Sequence, residues 1–229
     1  MSDTAAGGSA VRAARLTAAP KWSPLTFKTL HPPVRGSLKK ILPITVTGWE
    51  NVPMSGPVIL AGNHSGWLDG PLVVIMAPRP VRCLVKSELY HGVLGWALTT
   101  VGQIPVNRGK PDRTALHACL SELAAGGAVG VFPEGTRGTG ELEEVQHGIA
   151  YLAVHSGAPV LPVACLGTAE AFPRGAKKVR RDVPITVAYG KPFEVDRPEN
   201  PRSRKALAEV AEHIRVRLAG HLAETRASR

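Results

Sequence analysis

Aromatic residues make up only 5% of this 229-residue chain, too few for the stacking surfaces on which single-stranded nucleic acid is held. No helix-turn-helix, RRM or zinc-finger signature is present either, so no nucleic-acid partner is expected. Cysteine is equally sparse. Cys83, Cys119 and Cys165 are far apart and include no C-x-x-C pair, so neither a disulfide framework nor a zinc cluster is indicated. All three lie in apolar surroundings, as inert core cysteines of a reducing cytosolic environment do. Long hydrophobic runs are missing. The longest candidate, Val93 to Val101, falls well short of the roughly 18–20 residues a spanning helix needs. Residues 1–19 contain no apolar stretch of the signal-peptide kind. Any membrane association is therefore expected to be peripheral. Acidic residues are outnumbered, 18 against 28 Lys and Arg, for a formal net charge of +10 and a pI near 10.0. By charge alone that excess suits nucleic acid, an anionic membrane surface or a phosphorylated substrate, and with no nucleic-acid signature present the last two remain.

What is present suits one globular domain. Hydrophobic content is 44%, and the length supports a core that folds unaided. Residues 1–20 read as a disordered Ala/Gly-rich tail. Residues 21–42 read as a basic amphipathic arm in which Pro24, Pro32 and Pro33 break any long helix. Two readings of the arm stand open: it rests on a membrane surface, or it packs on the core with solvated lysines. Residues 43–225 form the domain proper. Strand-like runs at 44–47, 58–61, 81–85, 129–132, 160–164 and 184–189 alternate with helical stretches around 70–76, 88–100, 113–125, 146–156 and 204–222. This alternation predicts an α/β fold with a mostly parallel central sheet flanked by helices.

Three constellations carry chemistry. Asn63-His64-Ser65-Gly66-Trp67-Leu68-Asp69 follows the second strand. A neutral imidazole takes a proton near pH 7, and a carboxylate beside it fixes its tautomer and stabilises its cationic form. On a regular helix, residues five apart point about 140° away from each other, so His64 and Asp69 meet only if a turn intervenes at Ser65-Gly66. The alternative is a loop histidine and a helix-capping aspartate. Phe132-Pro133-Glu134-Gly135-Thr136-Arg137-Gly138 follows another strand, at the kind of position where sites collect in parallel α/β sheets. Its glycines let the backbone approach closely, and its arginine suits an oxyanion; a surface turn with an internal Glu134–Arg137 pair is the competing reading. Asn107-Arg108-Gly109 ends a further short strand, with Arg108 either a second cation for the same anion or an ordinary turn residue.

Taken together, the N-H-x-x-x-x-D block at Asn63, His64 and Asp69, the Arg-Gly turn at Arg108, the unchanged F-P-E-G-T-R block at Phe132 to Arg137 and the apolar proline strand Val160-Leu161-Pro162-Val163 resemble the glycerolphosphate acyltransferase superfamily, in particular the 1-acylglycerol-3-phosphate (lysophosphatidic acid) acyltransferases. The blocks occur in the family's order across roughly residues 40–195. One departure stands out: where family members carry F-K-x-G, this chain reads Val145-Gln146-His147-Gly148, so the lysine is missing and any substrate contact it makes is not carried over.

The resemblance implies transfer of a fatty acyl group from acyl-CoA or acyl carrier protein to the free hydroxyl of a lysophospholipid acceptor. It implies His64 as general base and Asp69 as its orienting partner. It further implies that Arg137 holds the acceptor phosphate, with Glu134, Gly135 and Thr136 shaping the loop and Arg108 as a second contact. No G-x-S-x-G elbow occurs, so direct transfer without an acyl-enzyme is expected. No metal or other cofactor is expected. Another lysolipid or hydroxy-lipid acceptor, or a non-catalytic lipid-binding protein of the same fold, are the alternatives. The basic run Arg174, Lys177, Lys178, Arg180 and Arg181 is a candidate contact for anionic headgroups, at the inner face of the cell membrane.

Overall fold

A computed structural model describes residues 24–107, 112–135 and 137–229. Seven strands form one sheet: β1 (Ile44–Thr47), β2 (Val58–Gly62), β3 (Val81–Lys86), β4 (Ile104–Val106), β5 (Ala128–Val131), β6 (Val160–Leu166) and β7 (Ile185–Tyr189). Their order across the sheet is β1-β7-β6-β2-β5-β3-β4. The five strands from β6 to β4 run parallel. β7 returns antiparallel to β6, and β1 pairs parallel with β7. The mostly parallel sheet expected from the alternating pattern is therefore present, with two reversed strands on one flank.

The helices are α1 (Pro24–Ile41), α2 (Asp69–Met76), α3 (Gly92–Thr100), α4 (Arg113–Ala124), α5 (His147–Ser156), the short α6 (Thr168–Ala171) and α7 (Arg204–Ala227). They cover both faces of the sheet, so the central strands are buried along their whole length, as parallel strands with two covered faces are. Side chains of β2 alternate between two cores. Ile59 and Ala61 face α4, α5 and α7, where they meet Cys119, Leu123, Leu152, Ile214 and Leu218. Val58 and Leu60 face α2, where they meet Leu72, Val73 and Met76.

The break expected at Pro32 and Pro33 does not occur: both lie inside α1. Two interior prolines remove helix hydrogen bonds and cost about 3 kcal/mol or more each, and tertiary contacts offset that loss. The buried His31 stacks on Phe27. Arg35 lies 4.7 Å over the Trp49 ring, and the Trp49 indole N–H donates to the Met76 carbonyl at 2.9 Å. The tail expected over residues 1–20 lies outside the described residues.

Gly48 closes β1 with a φ of +66°, and a Cβ there would lie 1.9 Å from the Tyr189 carbonyl oxygen. Gly157, after α5, has a φ of +65° with open space around it. Gly157→Ala therefore meets only the cost of a left-handed backbone, about 1 kcal/mol, whereas Gly48→Ala meets that cost and a backbone overlap, at least about 2 kcal/mol in all. Urea denaturation of the two variants checks this; equal losses would contradict it.

Candidate active site

β2 is the central strand, and its carboxyl end delivers Asn63 and His64 to the edge of the sheet. The chain then turns over Gly66–Leu68, and α2 begins at Asp69. That turn brings the two side chains together: His64 Nδ1 lies 2.9 Å from Asp69 Oδ2. Asp69 does not cap its helix. The N-cap position is Leu68, and the Asp69 carboxylate instead accepts the Gly66 N–H at 2.7 Å as well as facing the imidazole. It is fully buried at the positive end of α2, which suits a negative charge. Its other oxygen, Oδ1, is buried without a hydrogen-bond partner among the described residues. With Nδ1 occupied by the carboxylate, Nε2 is the nitrogen left to take a substrate proton.

The Phe132–Gly140 loop grips the His64 peptide from both sides. Glu134 Oε1 accepts the His64 backbone N–H at 2.7 Å, and the Gly138 N–H donates to the His64 carbonyl at 3.1 Å. The Phe132 ring stacks on the imidazole at 4.5 Å, 27° from parallel. Gly135 closes the turn with a φ of +73°, its N–H donating to the Phe132 carbonyl. Glu134 thus turns inward to the histidine rather than to Arg137, so no internal Glu134–Arg137 pair forms. Arg137 is exposed, one residue from the Gly138–His64 bond. Arg108 and Thr136 lie outside the described residues; Asn107, just before Arg108, is exposed and ties to Ser87 at 2.6 Å.

Several supporting contacts carried no signal in the sequence. The Asn63 side chain donates to the Cys165 carbonyl at 3.0 Å and accepts the Cys165 N–H at 2.7 Å, extending the β2–β6 pairing by one rung. The Ser65 and Thr168 hydroxyls lie 3.2 Å apart, which occupies Ser65 with the start of α6. A cavity of about 340 Å³ opens beside these two residues, lined by Asn63, Ser65, Glu141, Glu170, Arg226 and Arg229 but not by His64. Glu141 and Arg226 close one wall as a two-bond ion pair. The cysteines offer no nucleophile: burial pushes Cys83 and Cys119 up to about 12 and Cys165 well above its ordinary value. Gln146, at the place of the missing lysine, and His147 beside it are both exposed at the start of α5.

A sequence model of the family described as Acyltransferase matches residues 43–166, a span that includes His64, Asp69, Glu134 and Arg137. A 1-acyl-sn-glycerol-3-phosphate acyltransferase of Bacillus subtilis is 28% identical over 177 residues, 76% of this chain and 86% of the relative. The chloroplastic 1-acyl-sn-glycerol-3-phosphate acyltransferase BAT2 of Brassica napus is 29% identical over 153 residues, 65% of this chain. This chain spans less than half the length of such plastid relatives, 44% for BAT2. Among solved structures, the 1-acyl-sn-glycerophosphate (LPA) acyltransferase PlsC of Thermotoga maritima has a TM-score of 0.66 at 22% identity, covering 95% of this chain and 88% of its own. That likeness establishes a shared fold.

Burial is the leading influence on the Glu134 carboxyl and pushes it up. The folded state therefore holds that proton more tightly than the unfolded chain does. The stability this group contributes is full below its ordinary value and falls as pH rises through the raised one. Glu134→Ala leaves the His64 N–H without its acceptor and is expected to cost about 1–3 kcal/mol; Glu134→Gln keeps an acceptor, recovers most of that loss and lacks the pH slope. Urea melts of wild type and both variants between pH 4 and 7 check this, and equal stability of Ala and Gln variants would contradict it.

Proposed function

The chain belongs to the Acyltransferase family, and from that premise we propose that it moves a fatty acyl group from an acyl thioester, acyl-CoA or acyl carrier protein, to the free hydroxyl of 1-acylglycerol-3-phosphate, making phosphatidic acid. The observation that carries the reading is the His64–Asp69 pair, 2.9 Å apart and fastened to the F-P-E-G-T-R loop. A binding module has no use for a base whose tautomer is fixed by a buried carboxylate.

In this mechanism His64 Nε2 removes the acceptor hydroxyl proton as the oxygen attacks the thioester carbonyl. The carbon–sulfur bond breaks as the tetrahedral intermediate collapses. The imidazolium returns its proton to the leaving thiolate, which departs as the free thiol. Asp69 holds the ring and stabilises its cationic form between the two transfers. Direct attack through a ternary complex fits a site in which the cysteines are buried and Ser65 is engaged with Thr168.

Arg137 is the phosphate ligand in this reading. It is exposed, beside the backbone bond that ties its loop to His64, and a guanidinium holds a phosphate with two parallel hydrogen bonds. Gly135 and Thr136 shape the loop, Glu134 fastens it to His64, and Arg108 adds a second cation. The protein works as a peripheral one at the cytoplasmic face of the cell membrane. None of the described helices is long and apolar enough to cross a bilayer. Arg174, Lys177, Lys178, Arg180 and Arg181 are all exposed, and basic residues near an anionic lipid surface are worth about 1 kcal/mol each.

Purified full-length protein, offered a panel of lysolipids and both donors with product mass as readout, is expected to acylate 1-acylglycerol-3-phosphate in preference to uncharged acceptors. Arg137→Ala is expected to raise the acceptor KM roughly tenfold or more with little change in kcat, the cost of a charge-assisted contact. Acylation of a different lysolipid alone would overturn the acceptor assignment, and an unchanged KM the role of Arg137.

A further inference from the structure

We infer that the exposed apolar face of α3 is the element that enters the lipid surface, on the same edge of the sheet as His64. This rests on the reading that the acceptor is a lipid held in a bilayer, and it assigns the contact to a particular helix. From Leu89 to Asn107 the chain contains no Asp, Glu, Lys or Arg. Within it, Val93 is 83% exposed and Trp96 69%. These two lie three residues apart, hence on one face of the helix. The opposite face is fixed: Gly95 is buried flat against the Tyr90 backbone, where a Cβ would come within 2.4 Å of the Tyr90 carbonyl carbon. Gly95 is the one buried residue of this helix, and Val93 and Trp96 lie away from it and outward.

The topology says what this face meets. β3 ends at Lys86, and the strand after α3, β4, begins level with Leu84, two residues lower. Nine helical residues extend about 13 Å, so α3 is housed at the carboxyl edge of β3, the edge at which β2 delivers His64. Trp67, 40% exposed, stands in the turn between His64 and Asp69. On the other flank, β6 ends at Leu166, paired with Thr186 near the start of β7, so the connection carrying the exposed Arg174, Lys177, Lys178 and Arg181 leaves and returns at that same edge. The catalytic pair thus has a basic flank on one side and an apolar one on the other. Stable peripheral attachment takes two such signals, charge for the headgroups and apolar surface for the acyl layer. A second copy of the chain is a poor occupant, because each carries +10 and the basic flanks would meet like charge.

The test uses the full chain with Val93→Ser/Trp96→Ser and, separately, Val93→Asp, all at exposed positions. Partitioning onto phosphatidylcholine vesicles with and without phosphatidylglycerol is measured at low and high salt. Wild type is expected to keep a salt-resistant share of its binding, and both variants to lose at least about tenfold of that share with unchanged melting temperatures. Partitioning equal to wild type at both salts would overturn the proposal. So would a wild-type dimer in analytical ultracentrifugation that the variants abolish. Turnover on a short-chain lysophosphatidate kept below its micelle-forming concentration separates the two claims: the variants are expected to match wild type there. A wild type that acylates nothing would sink the proposed function, while the vesicle result still decides the role of α3.

Discussion

The peptide unit of His64 is held at both ends by a loop seventy residues away. Its N–H goes to the Glu134 carboxylate, and its carbonyl takes the Gly138 N–H. The residue before it is bonded twice to Cys165 on the next strand, and the residue after it meets Thr168. A histidine at the free end of a strand would otherwise sample many orientations. Here its backbone is fixed by β5, β6 and their loops, and its ring by Asp69 and Phe132. General-base catalysis depends on such placement, because proton transfer requires the nitrogen within hydrogen-bond reach of one hydroxyl. The joint presence of the N-H-x-x-x-x-D and F-P-E-G-T-R blocks follows from this clamp: neither block alone makes an oriented base.

Charge is layered around the clamp. The acids that serve it, Asp69 and Glu134, face inward, one fully buried and the other half-buried. The basic residues of Arg137 and the 174–181 run face outward. Inward carboxylates favour a positive imidazolium, and in the proposed function the exposed cations draw in anionic lipid and thioester carriers. The carboxyl edge of the parallel strands gathers both sets, together with the apolar face of α3.

Much of this was legible in the sequence, for local reasons. His64 and Asp69 are five residues apart, and Ser65-Gly66 marks the turn that joins them. The strands β1, β2, β3, β5, β6 and β7 are short apolar runs whose ends fall within a residue or two of the expected ones. Contacts made across the chain were not legible. The Asn63 side chain pairs with the N–H and carbonyl of Cys165, backbone groups that every residue has. The Glu141–Arg226 pair closing the cavity spans 85 residues. The stacking of Phe132 on His64 follows from β5 lying beside β2, a pairing no local pattern encodes. The continuity of α1 through Pro32 and Pro33 ran against local preference, because contacts with Trp49 and α2 offset the hydrogen bonds that the two prolines remove. The reversed direction of β7 has one cue, the lack of a full crossover helix between β6 and β7, which parallel neighbours need.

The central claim is that His64 and Asp69 act as one catalytic unit. The most direct test is the turnover of His64→Ala, Asp69→Asn and the double variant, with product formation followed by mass. If the pair is a unit, His64→Ala loses roughly 10²–10⁴-fold, Asp69→Asn loses much of the same factor through the wrong tautomer, and the double variant falls no further than His64→Ala alone. Losses that multiply, or a His64→Ala protein that turns over as wild type does, would contradict it.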